Sequence, residues 1–188
     1  DLPQIETDTP SKLRSIKHGA FKNGEKLEYR LHYGLVNAGT ATLDVAAKTT
    51  AASIASSVNA LEASTGITAT AITTAEVSAF ETGTISLTLG SGGDTSTIAA
   101  AVTSTDVTNL VTEVNKKTGT TGITAELINN GADLKLTQAD GKDIFITAYS
   151  SSAGATDSIT VKGADTTAAT LTEGTSVLTA VGGQVSFQ

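Results

Sequence analysis

A short motif that occurs twice sets the strongest constraint on how this chain can fold. Gly-Ile-Thr-Ala stands at residues 66–69 and again at residues 122–125, a shift of 56 positions. The same shift aligns three positions before the motif: Ile54 with Leu110, Val58 with Val114, and Asn59 with Asn115. A repeated stretch of this length is one supersecondary unit used twice, so each local prediction must suit both copies. Two copies are too few for a solenoid.

Each copy begins with the pattern of a short amphipathic helix. The first copy places Ile54, Val58 and Leu61 at positions i, i+4 and i+7. The second copy shows the same apolar stripe at Val107, Leu110, Val111 and Val114. Such spacing puts the apolar side chains on one side of a helix.

A glycine turn and a strand are predicted after each helix. We expect Asp106 to cap the second helix by accepting hydrogen bonds from free backbone N–H groups. Gly66 and Gly119 stand where a left-handed exit from the helix is needed. Residues 67–72 and 123–128 are rich in β-branched side chains and therefore favour strands. The repeated unit is thus predicted to be helix, turn and strand.

Alternation of apolar and polar residues predicts further strands. They contain Ile85, Leu87 and Leu89; Leu134 and Leu136; residues 159–162; and residues 181–187. Asp140-Gly141 predicts a hairpin turn into a strand over residues 144–148. Residues 150–157 and 164–175 are predicted to be polar loops. The expected fold class is α+β, mostly antiparallel β, with two short amphipathic helices in a helix-turn-strand repeat.

The composition restricts both the core and the chemistry. Aromatic residues make up 4% of the chain and Trp, Met and Cys are absent, so the core must be built from Ala, Val, Ile and Leu. The lack of cysteine excludes zinc–thiolate sites, disulfides and thiol catalysis. The net charge of −7 opposes binding to nucleic acid or to an anionic membrane surface. No run approaches the ~20 apolar residues of a membrane span, so no membrane insertion is expected.

Charge divides the chain into two parts. Residues 1–49 hold seven basic and six acidic residues, a net charge of +1, whereas residues 50–188 hold five basic and thirteen acidic residues, a net charge of −8. We place the boundary between Val45 and Ala52. Residues 1–19 contain two prolines and no sustained period, and they are predicted to form an extended arm.

Residues 20–49 are predicted to form a β-hairpin. Four apolar residues alternate with charged ones along its first half: Leu27, Tyr29, Leu31 and Tyr33. A glycine-containing turn over residues 34–39 leads to a second alternating run with Ala41, Leu43 and Val45. Strict alternation of this kind is typical of a half-buried strand.

The hairpin segment resembles a known family. Residues 20–45, AFKNGEKLEYRLHYGLVNAGTATLDV, are similar to the start of a family of exported, β-rich bacterial proteins of unassigned function. The resemblance ends near Val45, where members of that family continue with more strands. It implies an exported protein but no particular activity.

Residues 50–188 resemble a different family. Ile-Ala-Ser-Ser-Val-Asn-Ala at 54–60 and Ser-Thr-Gly-Ile-Thr-Ala-Thr at 64–70 are similar to the repeat in the outer, surface-exposed domains of bacterial flagellins and of the filament cap protein. The second copy matches through residues 121–127, 134–136 and 140–146, which places the repeat cores near 52–72 and 106–149. The resemblance implies a structural role, protein neighbours in a filament or surface assembly, and an extracellular location on the flagellum or cell surface.

One departure from that family limits what the chain can do by itself. In flagellins the outer domain is inserted between long terminal helices that polymerise the filament, and this sequence has no such heptad-rich segments. We therefore expect that the chain alone does not form a filament.

No catalytic, cofactor or metal site is predicted. His18 and His32 are the two histidines, and His32 falls on the polar side of the first predicted strand. The sequence contains no Gly-x-Ser-x-Gly turn. The glycine-rich stretches 91–94 and 119–122 lack the lysine of a phosphate loop and are predicted to be turns.

The charged candidates are also given structural interpretations. Asp133, Asp140 and Asp143 could offer oxygens to Ca²⁺, but they lack the spacing of a calcium loop, and turn formation explains Asp140. Lys116-Lys117 is too short for a basic patch and is predicted to be a solvated helix end.

The hydroxyl-rich composition has two interpretations. The chain contains 34 threonines, which β-propensity and solubility explain. The flagellin resemblance instead implies that exposed hydroxyls accept O-linked sugars, with four candidates in one stretch: Ser150, Ser151, Ser152 and Thr156. No Asn-x-Ser/Thr sequon occurs, so N-glycosylation is not expected.

Two functional hypotheses follow from these patterns. The first is a structural, surface-exposed module of a flagellar-filament-type protein with no catalysis. The alternative is an exported periplasmic or surface β-rich protein that binds an unknown, apolar ligand, and it is motivated by the side of the hairpin that carries Tyr29 and Tyr33. An enzyme ranks third, because no residue pattern supports one.

Overall fold

The computed structural model describes residues 26–33, 36–44, 49–164, 168–174 and 178–188, the first two ranges at the level of the backbone. The predicted arm over residues 1–19 lies outside the described residues. So do His18 and residues 45–48, where the predicted boundary begins.

Short strands and short helices follow one another along the described ranges. The helices are α1 (Ala51–Asn59), α2 (Glu62–Thr65), α3 (Thr108–Lys116) and α4 (Thr118–Thr121). The strands before the second helix pair are β1 (Lys26–Tyr33), β2 (Val36–Asp44), β3 (Ala69–Ser78), β4 (Gly83–Ser91) and β5 (Asp94–Val102). The later strands are β6 (Ile123–Ile128), β7 (Asp133–Gln138), β8 (Ile144–Ser151), β9 (Ser158–Gly163), β10 (Ala168–Thr172), β11 (Thr179–Val181) and β12 (Gln184–Phe187).

The described strands form three antiparallel sheets. β1 and β2 make a hairpin in which Leu27 pairs with Leu43 and Tyr29 pairs with Ala41. A larger sheet has the order β10-β9-β3-β7-β6, and β12 pairs with the first part of β3. A four-stranded sheet has the order β11-β8-β4-β5. The predicted fold class, α+β with mostly antiparallel strands, is confirmed.

The core lies between the larger sheet and the four-stranded sheet. Alternation turns every second side chain of β4 inward, where Ile85 and Leu89 are fully buried. Helix α3 closes one end of this core by packing between β5 and β6. The buried side chains are almost all small or aliphatic, and Phe80 and Tyr149 are the described aromatic residues among them. The prediction of a core built from Ala, Val, Ile and Leu is therefore correct apart from these two aromatic residues.

The two helices of the repeat form where the apolar stripes predicted them. In α1, the side chain of Thr50 caps the helix by accepting from Ser53 N–H at 3.2 Å. Ahead of α3, Asp106 Oδ1 accepts from Thr108 N–H at 2.8 Å, so the predicted capping contact is present, although Val107 occupies the cap position. The inclusion of Leu61 in the first stripe was wrong. The helix ends at Asn59, and Leu61 is 47% exposed.

The left-handed turns lie at equivalent positions in the two copies. Gly66 ends α2 with φ +66°, and Gly122 ends α4 with φ +68°. Gly119 was predicted for this role, but it lies inside α4. The prediction failed because a second short helical turn follows each long helix and delays the exit by three residues. Glycine is favoured at both exits because a left-handed backbone costs other residues ~1–2 kcal/mol.

The hairpin predicted at Asp140-Gly141 is not formed. The chain does turn there, with Gly141 at φ +71°, but β8 joins the four-stranded sheet instead of pairing with β7. Strand β7 already has β3 on one side and β6 on the other. Because both edges of β7 are occupied, the following strand has to cross to the other sheet.

The C-terminal predictions are partly corrected. The closing strand predicted over 181–187 is two strands, β11 and β12, and Gly182-Gly183 carries the chain from one sheet to the other. The predicted loop over 164–175 contains β10, the edge strand beside β9. Residues 165–167 and 175 of that loop lie outside the described residues.

Candidate functional site

The polar residues of the repeat form two equivalent junctions between helix and strand. Asn59 Nδ2 donates to the Ala69 carbonyl at 2.9 Å, while its Oδ1 accepts from Ala69 N–H at 2.7 Å. Asn115 makes the same pair of bonds with Ala125, at 2.9 and 2.8 Å. Each amide thus pairs with a strand residue as a neighbouring strand would, and it fixes where the helix ends relative to the sheet.

A threonine completes each junction. Thr65 Oγ1 donates to the Leu61 carbonyl at 2.9 Å and accepts from Ile67 N–H at 3.2 Å. Thr121 Oγ1 repeats this arrangement with Lys117 and Ile123, at 3.1 and 3.2 Å. These hydroxyls satisfy backbone groups that the end of a helix leaves free. The repeated polar residues therefore hold the backbone together.

A buried polar cluster joins β8, the loop after it and the residue after β10. The Tyr149 hydroxyl donates to Asp157 Oδ2 at 2.8 Å, and these residues are 1% and 3% exposed. Glu173 N–H donates to the Asp157 carbonyl at 2.7 Å, and the Glu173 carboxylate accepts from Ser151 N–H. Burial, and then the hydrogen bond to Asp157, raise the pKa of Tyr149 above its ordinary value. Tyr149 is thus held as a neutral donor.

This cluster is suited to anchoring a loop. Asp157 N–H also donates to the Gly154 carbonyl at 3.0 Å, which closes the turn before β9. Tyr149 and Asp157 lie inside the molecule, where their hydrogen bond joins the loop to β8. The cluster leaves no signal in the sequence, because Asp157 falls in a polar loop and no local pattern links it to Tyr149.

The three candidate aspartates are not brought together. Asp133 begins β7 and accepts from Asn129 Nδ2 at 2.6 Å, whereas Asp140 lies beyond the other end of the strand, 4.0 Å from Lys142 Nζ. Asp143 is half-buried, and burial raises its pKa. Among the described residues, His, Asp and Glu do not gather in groups of three that could hold a metal ion.

The remaining candidates have structural positions. Residues 91–94 form the turn between β4 and β5, with Gly92 and Gly93 at positive φ, as predicted. Lys116 forms an exposed ion pair with Glu113 at 2.7 Å at the end of α3. His32 lies in β1, but its side chain is outside what the structure describes.

Two of the four hydroxyl groups proposed to accept sugars are hydrogen-bonded to backbone N–H groups. Ser152 Oγ accepts from Thr84 N–H at 2.8 Å, and Ser151 Oγ accepts from Ala153 N–H at 3.1 Å. Ser150 and Thr156 are exposed. Ser150 and Thr156 are therefore the more accessible sites for a modification in this stretch.

The core contains a small apolar cavity. It measures about 10 Å³ and lies between the two sheets, next to α3. Its lining comprises Val77, Leu87, Leu89, Leu110, Val114, Leu134, Leu136 and Ile146. A space of this size holds at most one water molecule, and an apolar lining disfavours even that. This cavity is too small for a ligand.

Together these features define a small α+β protein built around an internal repeat, in which the recurring asparagine and threonine of each copy bind backbone groups. Within the described ranges, no helix has the length and apolar character needed to cross a bilayer. Comparison with models of known families and with curated proteins gave no match.

Proposed function

We propose that the chain is a structural, surface-exposed module of a flagellar-filament-type protein and has no catalytic role. The observation that carries this proposal is the position of the two ends of the repeat region. A methyl group on Gly183 would stand 2.9 Å from Ala51 Cβ, and β12 packs against α1. A domain whose first and last elements lie side by side can be inserted into another chain without disturbing it.

The repeat junctions support the same proposal. The residues that recur, Asn59 with Asn115 and Thr65 with Thr121, all bind backbone groups of their own unit. A module that only presents a surface needs such internal contacts and needs no reactive centre. The exposed sides of its strands carry mostly threonine, serine and charged residues, for example Thr124 and Glu126 of β6.

The proposal includes the place and the neighbours of the module. We infer an extracellular location on the flagellum or cell surface, with protein neighbours in a filament and with O-linked sugars at exposed hydroxyls such as Ser150 and Thr156. Nucleic acid is not among the inferred partners, because the net charge is −7. The alternative, an exported binding protein, rests on Tyr29 and Tyr33, whose side chains lie outside the described residues, and it stays a prediction.

Localisation of the natural protein tests this function. Antibodies raised against the purified chain are applied to intact cells that produce it, and gold labelling is viewed by electron microscopy. Labelling along surface filaments, and recovery of the chain in the filament fraction after shearing, are the expected results. A protein found only inside the cell, or soluble in the periplasm, would refute the proposal, and the second location would favour a binding protein. Intact-mass spectra of the sheared material report the sugars.

A further inference from the structure

In both copies of the repeat, a later strand pairs with the start of the repeat's own strand. Strand β12 pairs with the start of β3, with Phe187 opposite Ala69. Strand β7 pairs with the start of β6, with Leu136 opposite Ala125. Because Ala69 and Ala125 are equivalent in the repeat, β12 takes the place in copy one that β7 takes in copy two.

The two copies differ in the burial of their apolar residues. The apolar residues of copy two are fully buried, with Val114, Ile123, Leu134 and Leu136 between 0% and 2% exposed. Their equivalents in copy one are Val58, Ile67, Val185 and Phe187. Three of these are half-buried, and Phe187 is 40% exposed. We call the three half-buried residues, Val58, Ile67 and Val185, the open side of copy one.

In copy two, a hairpin covers the buried residues Val114, Ile123, Leu134 and Leu136. Leu87 and Leu89 of β4 line the same cavity as Val114 and Leu136. Helix α3 packs against β5, and α4 packs against both β4 and β5. The hairpin β4–β5 is therefore the cover of copy two, and it directly precedes α3 in the chain.

A second hairpin directly precedes α1. Five residues connect β5 to α3, and six connect β2 to α1. A shift of 56 positions in the sequence aligns Tyr29, Leu31 and Tyr33 of β1 with three buried residues of β4: Ile85, Leu87 and Leu89. In the register of the hairpin, Tyr29 pairs with Ala41 and Leu27 with Leu43, so cross-strand neighbours of the same apolar character share one side.

We propose that the hairpin β1–β2 covers copy one. The side of the hairpin that carries Tyr29, Leu31 and Tyr33 packs against the open side of copy one. The repeat unit is then hairpin, two helices and strand. The hairpin binds within its own chain, because the connection to α1 is as long as the one that suffices in copy two. A short connection gives an effective concentration in the millimolar range, well above that of a second copy in dilute solution.

Cysteine cross-linking tests the proposal directly, since the chain has no cysteine of its own. The first variant is Leu31→Cys/Val58→Cys. Its two positions align with Leu87 and Val114, which line one cavity in copy two. A short bifunctional thiol reagent should join the pair within one molecule, with a yield unchanged on about tenfold dilution. The matched control is Glu28→Cys/Val58→Cys, which places the thiol on the opposite side of β1 and should give at least tenfold less product.

Two results would overturn the proposal. One is equal cross-linking of both variants, and the other is cross-linked dimer as the main product, which would assign the open side to a second copy. A second measurement avoids dependence on the double variant. Leu31→Asp should speed amide hydrogen exchange in α1 on the order of tenfold and leave α3 unchanged. Unchanged exchange in α1 of that folded variant would also reject the proposal.

Discussion

The asparagine of each junction is predicted to contribute more to stability than an ordinary helix asparagine. Asn115 forms two hydrogen bonds with Ala125, whereas Asn109 in the same helix forms one, from its Nδ2 to the Ala101 carbonyl at 3.2 Å. A net contribution of ~1 kcal/mol per bond gives a cost of about 2 kcal/mol for Asn115→Ala and about 1 kcal/mol for Asn109→Ala. Both substitutions exchange the same residues in α3, so the change in helix propensity largely cancels between them.

Urea unfolding followed by far-UV circular dichroism measures this difference. With a slope of ~2 kcal/mol/M, Asn115→Ala should lower the midpoint by about 1 M and Asn109→Ala by about half as much. The two junctions share no partner, so Asn59→Ala combined with Asn115→Ala should cost about 4 kcal/mol. Equal midpoints for Asn115→Ala and Asn109→Ala would refute the view that the amide acts as a substitute strand.

Three further predictions use other contacts. Gly122→Ala should destabilise the fold by ~1–2 kcal/mol because φ is +68°, whereas Gly119→Ala, inside α4, should be neutral or stabilising; thermal unfolding separates the two signs. Gly183→Ala should cost ~1–3 kcal/mol in the same assay, because its methyl group would press on Ala51 Cβ and Thr73 Oγ1. The pKa of Tyr149 is raised in the folded state, so its stabilising effect is present below the unfolded-state pKa of ~10 and is lost as pH rises above that pKa. The free energy of unfolding should therefore fall in this alkaline range in the natural chain, and it should fall less in Tyr149→Phe.

Local patterns were sufficient for the helices and most strands. The apolar stripes located α1 and α3, and alternation located β4, β7 and β9, because neighbouring residues determine which side of an element is apolar. The sequence also aligned Asn59 with Asn115. Their pairing with Ala69 and Ala125, ten residues later, required the structure, because hydrogen bonds at that separation depend on how the helix returns to the sheet.

The failed predictions concern contacts between distant segments. Asp140-Gly141 has the composition of a hairpin turn, yet the partner of β8 was decided by the occupied edges of β7, which the local sequence does not contain. β10 was hidden because its alternation is short and threonine-rich. The cluster of Tyr149 and Asp157 was equally hidden, since a buried hydrogen bond between a strand and a loop leaves no periodic signal.

The pairing of β12 with β3 has a consequence for how the molecule is made. Phe187 and Ala69 come from opposite ends of the repeat region, so bringing them together closes a long loop. Closing such a loop costs entropy and slows folding. During synthesis, helix α1 and the start of β3 emerge from the ribosome well before residues 184–187, and they remain without that partner strand until those residues appear. Copy two, whose partner strand follows almost at once, can assemble first and serve as the template on which copy one is completed.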